Sequence, residues 1–204
     1  MRKLFVNIIL LFALSQYVAA QSLFSVDLQK NTSLTIHASS NLMSFNFIQN
    51  GEKLTRRNIV LESTRNQNKL FLSQNQLSVV LKDFSSPNKI ALKDFMKLLK
   101  SDAYPTLQVK VNCLDILPKS DKSQSYTGNA LVDITITGVT KQYSIPITTN
   151  AAGEMQLVDG KKKINIRDFN LNPPVQMMGL IKVSEWIDVD FHMICRIKSE
   201  NLAN

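Results

Sequence analysis

Between Ala130 and Thr148 the chain alternates apolar and polar residues with a period of two. Ala130, Val132, Ile134 and Ile136 fall on one side of a strand; Asp133, Thr135 and Thr137 fall on the other. After a predicted four-residue turn, Gly138-Val139-Thr140-Lys141, the alternation resumes. Tyr143, Ile145 and Ile147 then oppose Ser144, Pro146 and Thr148. Successive side chains of a strand point to opposite faces, so the pattern predicts two half-buried antiparallel strands. An apolar face of this kind suits a core filled by its own side chains, and equally a wall around an enclosed guest.

The same period recurs along most of the chain. The stretch "SLTIHASSNLMSFNF" predicts two strands hinged at Ser39-Ser40-Asn41, and "NIVLES", "KLFLS" and "LSVVLKDF" predict shorter ones. In "TLQVKVNCLDI", Leu107, Val109, Val111 and Cys113 share a face. "MQLVDGKKKINI" predicts a hairpin turning at Asp159-Gly160, because Asp-Gly readily supplies the positive φ angles of a tight turn. "EWIDVDFHMICRI" alternates longest, with Ile187, Val189, Phe191, Met193, Cys195 and Ile197 opposite Asp188, Asp190, His192 and Arg196.

One segment has the helical period instead. Leu92, Phe95, Met96 and Leu99 form an apolar stripe, with Lys89, Lys93, Lys97 and Lys100 around the rest of the turn. Ser86 before Pro87 is the expected N-cap, and Pro105 the stop. "NLNPPVQMMG" reads as a long connection, since paired prolines do not fit a central strand. Many strands and one helix predict an all-β sandwich or barrel. In a closed barrel Pro146 requires a bulge or a locally splayed rim.

The first residues change the picture of where the domain begins. Met1-Arg2-Lys3, an apolar run and small residues at Val18 and Ala20 predict a secretory signal peptide over 1–20, cut after Ala20. The expected product, 21–204, is one domain, periplasmic or secreted. The apolar run falls short of the ~20 residues that cross a bilayer, and no later stretch suffices. No Cys stands at the predicted cut to carry a lipid anchor.

Charge and candidate chemistry add less. The formal net charge is +8, two units of which come from Arg2 and Lys3. The surplus favours anionic partners such as lipid headgroups or acidic glycans; export argues against nucleic acid. Cys113 and Cys195 make no disulfide framework, and buried free thiols are as compatible with their strand positions as a bond. His37 and His192 stand far apart, and no zinc, calcium, nucleophile-elbow or phosphate-loop spacing occurs. Asp188 and Asp190 share a strand face, where solvated charges explain them better than paired catalytic carboxylates, and Lys161-Lys162-Lys163 reads as a solvated turn. Asn31-Thr32-Ser33 fits a glycosylation sequon, meaningful only in a eukaryotic secretory route. No catalysis, cofactor or metal is expected.

Four pieces, in order, resemble the YceI-like family of bacterial exported lipid-binding proteins. They are "LKSDAYPTLQVKV", "GNALVDITITGVTKQYSIPI", "INIRDFNL" and "PPVQMMGLIKVSEWIDVDFHM", the last as in members from Bacteroidetes. The resemblance spans roughly residues 80 to 198; before it, "HASSNLMSFNF" is similar to the opening hairpin of a smaller subfamily. It implies a lipocalin-like antiparallel β-barrel of about eight strands with one short amphipathic helix. It further implies a carrier whose apolar cavity takes a polyisoprenoid or similar amphiphile. Mapped onto the alternating faces, the expected lining is Val109, Val111, Val132, Ile134, Tyr143, Ile145, Phe191 and Met193, with Phe95 and Met96 near a mouth. The hydroxyl of Tyr143 is placed to meet a polar group within that wall. The alternative is an exported interaction module whose basic surface binds a partner protein or an anionic envelope polymer. A homodimer is compatible with either reading.

Overall fold

The computed structural model describes residues 21–54, 59–118, 125–176 and 180–200; the expected leader lies outside them. The strands are β1 (Gln21–Leu28), β2 (Ser33–Ser39), β3 (Ser44–Asn50), β4 (Ile59–Asn66), β5 (Lys69–Ser73) and β6 (Leu77–Val80). They continue as β7 (Thr106–Pro118), β8 (Ser125–Ile136), β9 (Val139–Ala152), β10 (Met155–Asn165), β11 (Val175–Gln176), β12 (Ile181–Lys182) and β13 (Trp186–Glu200). A one-turn helix α1 (Gly51–Leu54) follows β3, and the amphipathic helix α2 (Lys89–Leu98) precedes β7.

Eight antiparallel strands close into a ring in the order β1-β4-β5-β7-β8-β9-β10-β13, with β13 pairing back onto β1. The long strands change partners along their length. β13 pairs β2 through Asp188–His192 and β1 through Cys195–Glu200. β7 pairs β6 near Thr106–Val109 and β5 near Cys113–Asp115. One end of the barrel is therefore walled by β2, β3 and β6 in place of β1, β4 and β5. There Ile48 and Ser85 exchange backbone hydrogen bonds of 2.9 and 2.8 Å, joining β3 to the chain that follows β6.

The alternation of β8 and β9 holds, and Ala130, Val132, Ile134, Ile136, Ile145 and Ile147 are all buried. Their turn is tighter than expected. Ile136 pairs with Val139, so Thr137-Gly138 alone makes the connection, with φ of 48° and 82°. Two positive φ values in a two-residue loop match the twist of the strands they join.

Asp159-Gly160 is not a turn. Both residues lie inside β10, Asp159 opposite His192 and Gly160 opposite Phe191. The hairpin turns instead at Gly153-Glu154, between the paired Ala152 and Met155, with Gly153 at φ 61°. Glycine occupies position 160 because the ring of Phe191 fills the space of a side chain: a Cβ there would stand 2.2 Å from its Cζ.

Two further departures have local causes. The N-cap of α2 is Asn88 rather than Ser86; its Oδ1 accepts from the amides of Ile90 (3.1 Å) and Ala91 (2.9 Å), two donors the helix cannot satisfy. In β7 the register shifts between Val111 and Cys113, a bulge at Asn112. Past it Leu114 pairs with buried Ala130, while Cys113 pairs with exposed Leu131 and Phe71 on the opposite face. The parity expected for Cys113 is thus reversed. Pro146 meets the expectation of a splayed wall. The β9–β10 ladder ends at Ile147–Gly160, and beyond it Lys162 Nζ donates to Ser144 O at 2.9 Å across the gap.

Candidate ligand cavity

At the β2–β3 end the barrel holds an apolar cavity of about 350 Å³. Its wall is assembled from alternating strand faces and one helix face. Ile36 and Ala38 come from β2, Phe45 and Phe47 from β3, and Leu107 and Ile136 from the adjoining ends of β7 and β8. Ile90, Ala91, Phe95 and Leu98 come from α2, and Met43, Leu99, Ile166, Leu171, Pro174, Ile181, Val183 and Ile187 also line it. The helix is held there by aromatic contact. Phe95 stacks on Phe47 with centroids 4.2 Å apart and meets Phe84 edge-on at 5.5 Å. Polar groups (Ser40, Asn88, Asp94, Ser184) are a minority of the lining. Such a wall offers contact and desolvation to an apolar chain, with a few polar atoms for an amphiphile's head.

Of the residues expected at the site, the structure sets Phe95 in the cavity wall. Val132, Ile134 and Ile145 are buried among their neighbours in the core that continues below it. Val109, Val111, Tyr143 and Phe191 are half-buried and pack against that core. Met193 is half-buried outside it. Met96 packs on the core from α2 and borders a shallow groove with Lys93, Lys97 and Lys100. The β2–β3 pair and the Ile181–Val183 segment were not expected in the wall. The alternation of Ile36 with Ala38 and of Phe45 with Phe47 was readable; their approach to α2 was not.

Tyr143 spends its hydroxyl on the protein itself, donating to Asp168 Oδ2 at 2.9 Å. Burial, then this bond and the carboxylate's charge, push its phenol well above the ordinary range. Deeper in the barrel Gln49 shares the face of Phe45 and Phe47, is 1% exposed, and its amide has no hydrogen-bond partner among the described residues. Both cysteines are free and buried; burial pushes the Cys195 thiol up to about 11 and raises Cys113 as well. Neither is an activated nucleophile.

The histidines face outward and are satisfied. His37 contacts Asp190 Oδ2 at 3.1 Å and Asn46 Oδ1 at 2.9 Å, and His192 contacts Asp159 Oδ1 at 2.5 Å. Among the described residues no group of three or more His, Cys, Asp or Glu is placed to hold a metal ion. No described helix is long and apolar enough to cross a membrane.

An eight-stranded antiparallel ring with a helix beside an apolar cavity accords with the sequence resemblance, and residues 55–194 match the family model of the YceI-like domain. The chain belongs to the YceI-like family. This YceI-like barrel is similar to a polyisoprenoid binding domain from Saccharophagus degradans implicated in plant cell wall breakdown. The two are 11% identical, with 86% of this chain and 98% of that one covered and a TM-score of 0.55. BcnA of Burkholderia cenocepacia is 16% identical over 79% of this chain and 95% of its own, with a TM-score of 0.49. The YCEI protein of Campylobacter jejuni is 15% identical over 65% and 72%, with a TM-score of 0.44. No curated protein matches the chain. At 11% identity the likeness to the Saccharophagus domain is one of fold, a lipocalin-like antiparallel barrel.

Proposed function

We propose that this YceI-like protein is an exported carrier that binds an isoprenoid-like or similar amphiphilic lipid in the cavity beside α2 and performs no chemistry on it. The observation that carries the reading is the cavity itself: about 350 Å³ of space walled mainly by aliphatic and aromatic side chains. That volume falls within the ~300–1,000 Å³ usual for small-molecule sites. Burying an apolar chain there supplies roughly 25 cal/mol per Å² before the costs of ordering are subtracted. The name of the Saccharophagus neighbour agrees with such a ligand. Export rests on the leader-like sequence before Gln21. The test is mass spectrometry of solvent extracts from the purified protein. A co-purifying lipid is expected in the wild type and is expected to be lost when Ala38→Trp fills the wall. A wild type that yields no lipid and takes up no added prenol would overturn the reading.

A further inference from the structure

Around the mouth of the cavity the chain exposes apolar side chains that packing does not require. Leu42 and Met43 in the β2–β3 turn, Ile90 in the first turn of α2, Val175 on β11 and Leu180 beside β12 are each between 51 and 72% exposed. They come from three separate stretches, yet the stretches are tied together. Asn41 Nδ2 donates to Leu180 O at 2.9 Å, the Lys182 amide donates to Asn41 Oδ1 at 3.0 Å, and Asn88 Nδ2 lies 4.0 Å from Met43 Sδ. Met43 and Ile90 also line the cavity, so this patch is its rim. Single exposed apolar residues are ordinary, whereas a contiguous cluster marks an interaction surface.

Cations flank the same rim. Lys89, Lys93 and Lys97 of α2, continued by Lys100, are exposed along one side of the helix, and Lys182 is exposed on the ribbon beside Val175. The carboxylates on this stretch are Asp94, at the cavity, and Asp102, beyond the helix.

We propose that this rim docks on an anionic bilayer surface, its apolar side chains entering the headgroup boundary while the lysines rest against lipid phosphates. Apolar area ringed by basic residues is the combination that interfacial binding uses, one part for the acyl boundary and the other for anionic headgroups. The docked barrel opens its cavity toward the membrane, where an amphiphile can pass without crossing water. The inference builds on the carrier reading, since the cavity within the rim is the one assigned to lipid.

Co-sedimentation of the purified protein with vesicles tests it. The wild type is expected to bind vesicles of phosphatidylglycerol and phosphatidylethanolamine, to release them at high salt, and to ignore pure phosphatidylcholine. Leu42→Ser with Leu180→Ser, and separately Lys89→Gln with Lys93→Gln, are each expected to weaken vesicle binding by about tenfold or more. Both pairs lie outside the cavity wall, so uptake of a soluble short-chain prenol should stay at the wild-type level. No binding to anionic vesicles by the wild type, or equal binding by the variants, would overturn the docking proposal while leaving prenol uptake to judge the carrier. Salt-sensitive vesicle binding without prenol uptake would uphold docking and remove the carrier. A rim that captures a soluble protein and no vesicle would also overturn it.

Discussion

Gln49 and Gly160 show how single positions carry costs that their neighbours create. The amide of Gln49 sits in the barrel interior without a partner among the described residues, and an unsatisfied buried polar group costs about 1–3 kcal/mol. Gln49→Leu, of similar volume and without that penalty, is expected to raise the unfolding free energy by about 1–2 kcal/mol in urea titrations. A loss of stability would show that the amide is bonded after all. Gly160 poses the converse problem, since any Cβ meets the ring of Phe191. Gly160→Ala is expected to cost about 1–3 kcal/mol by overpacking. Adding Phe191→Leu should recover much of that loss, and a double-mutant cycle measures the coupling.

The β8–β9 hairpin is the element in which face and function are most tightly joined. Val132 is 4% exposed and belongs to the core, whereas Thr135 is half-buried and pairs its hydroxyl with Thr140 at 2.8 Å on the other face. Val132→Glu places an unpaired carboxylate in a dry interior and is expected to cost several kcal/mol, about 3–5, or to abolish folding. Thr135→Glu should change the melting temperature little, its loss being that of one exposed hydrogen bond, about 1 kcal/mol or less. Circular-dichroism melts of the two variants compare the faces directly; equal melts would refute the parity. Strand parity was legible in the sequence because it is local, each residue alternating with the next. The register of β7 was not, because the bulge at Asn112 answers to pairing with β8. Beside it Asn75 lies alongside Val111, exchanging bonds of 2.7 Å with its backbone.

For the whole molecule the buried acids set a pH limit. Burial raises Cys195 to about 11 and also raises Cys113 and Tyr143. A folded state that holds these protons longer than the unfolded chain loses stability as the pH rises. The thiol contribution is present in full below the ordinary value of 9.0 and is lost as pH passes through about 11, with Tyr143 adding in the same direction at higher pH. Urea midpoints measured from pH 8 to pH 11 are expected to fall, and Cys195→Ala should remove part of that slope. Asp133 acts at the opposite end: hydrogen bonds from Asn112 and Gln142 hold its carboxyl below 3.8, so its contribution disappears as pH falls into the acid range.

The alternation in β2, β8, β9 and β13 made an antiparallel β fold legible, and the Leu92-Phe95-Met96-Leu99 stripe placed the helix. Those features follow from which neighbours along the chain share a face, and no distant residue is needed to state them. Position 160 is different: Asp-Gly reads locally as a turn, and only the ring of Phe191 on another strand explains the glycine there. The cavity is different for the same reason. Ile36 and Ala38 alternate in the same way as Val132 and Ile134, yet the first pair lines the cavity and the second is buried in the core away from its wall. A barrel of about eight strands is narrow enough for side chains to fill. Where it stays hollow depends on how far β2, β3 and α2 are held from β7 and β8. The Phe47–Phe95 stack ties α2 to β3 and the Ile48–Ser85 bridge ties β3 to the chain after β6, and both join residues far apart in the sequence.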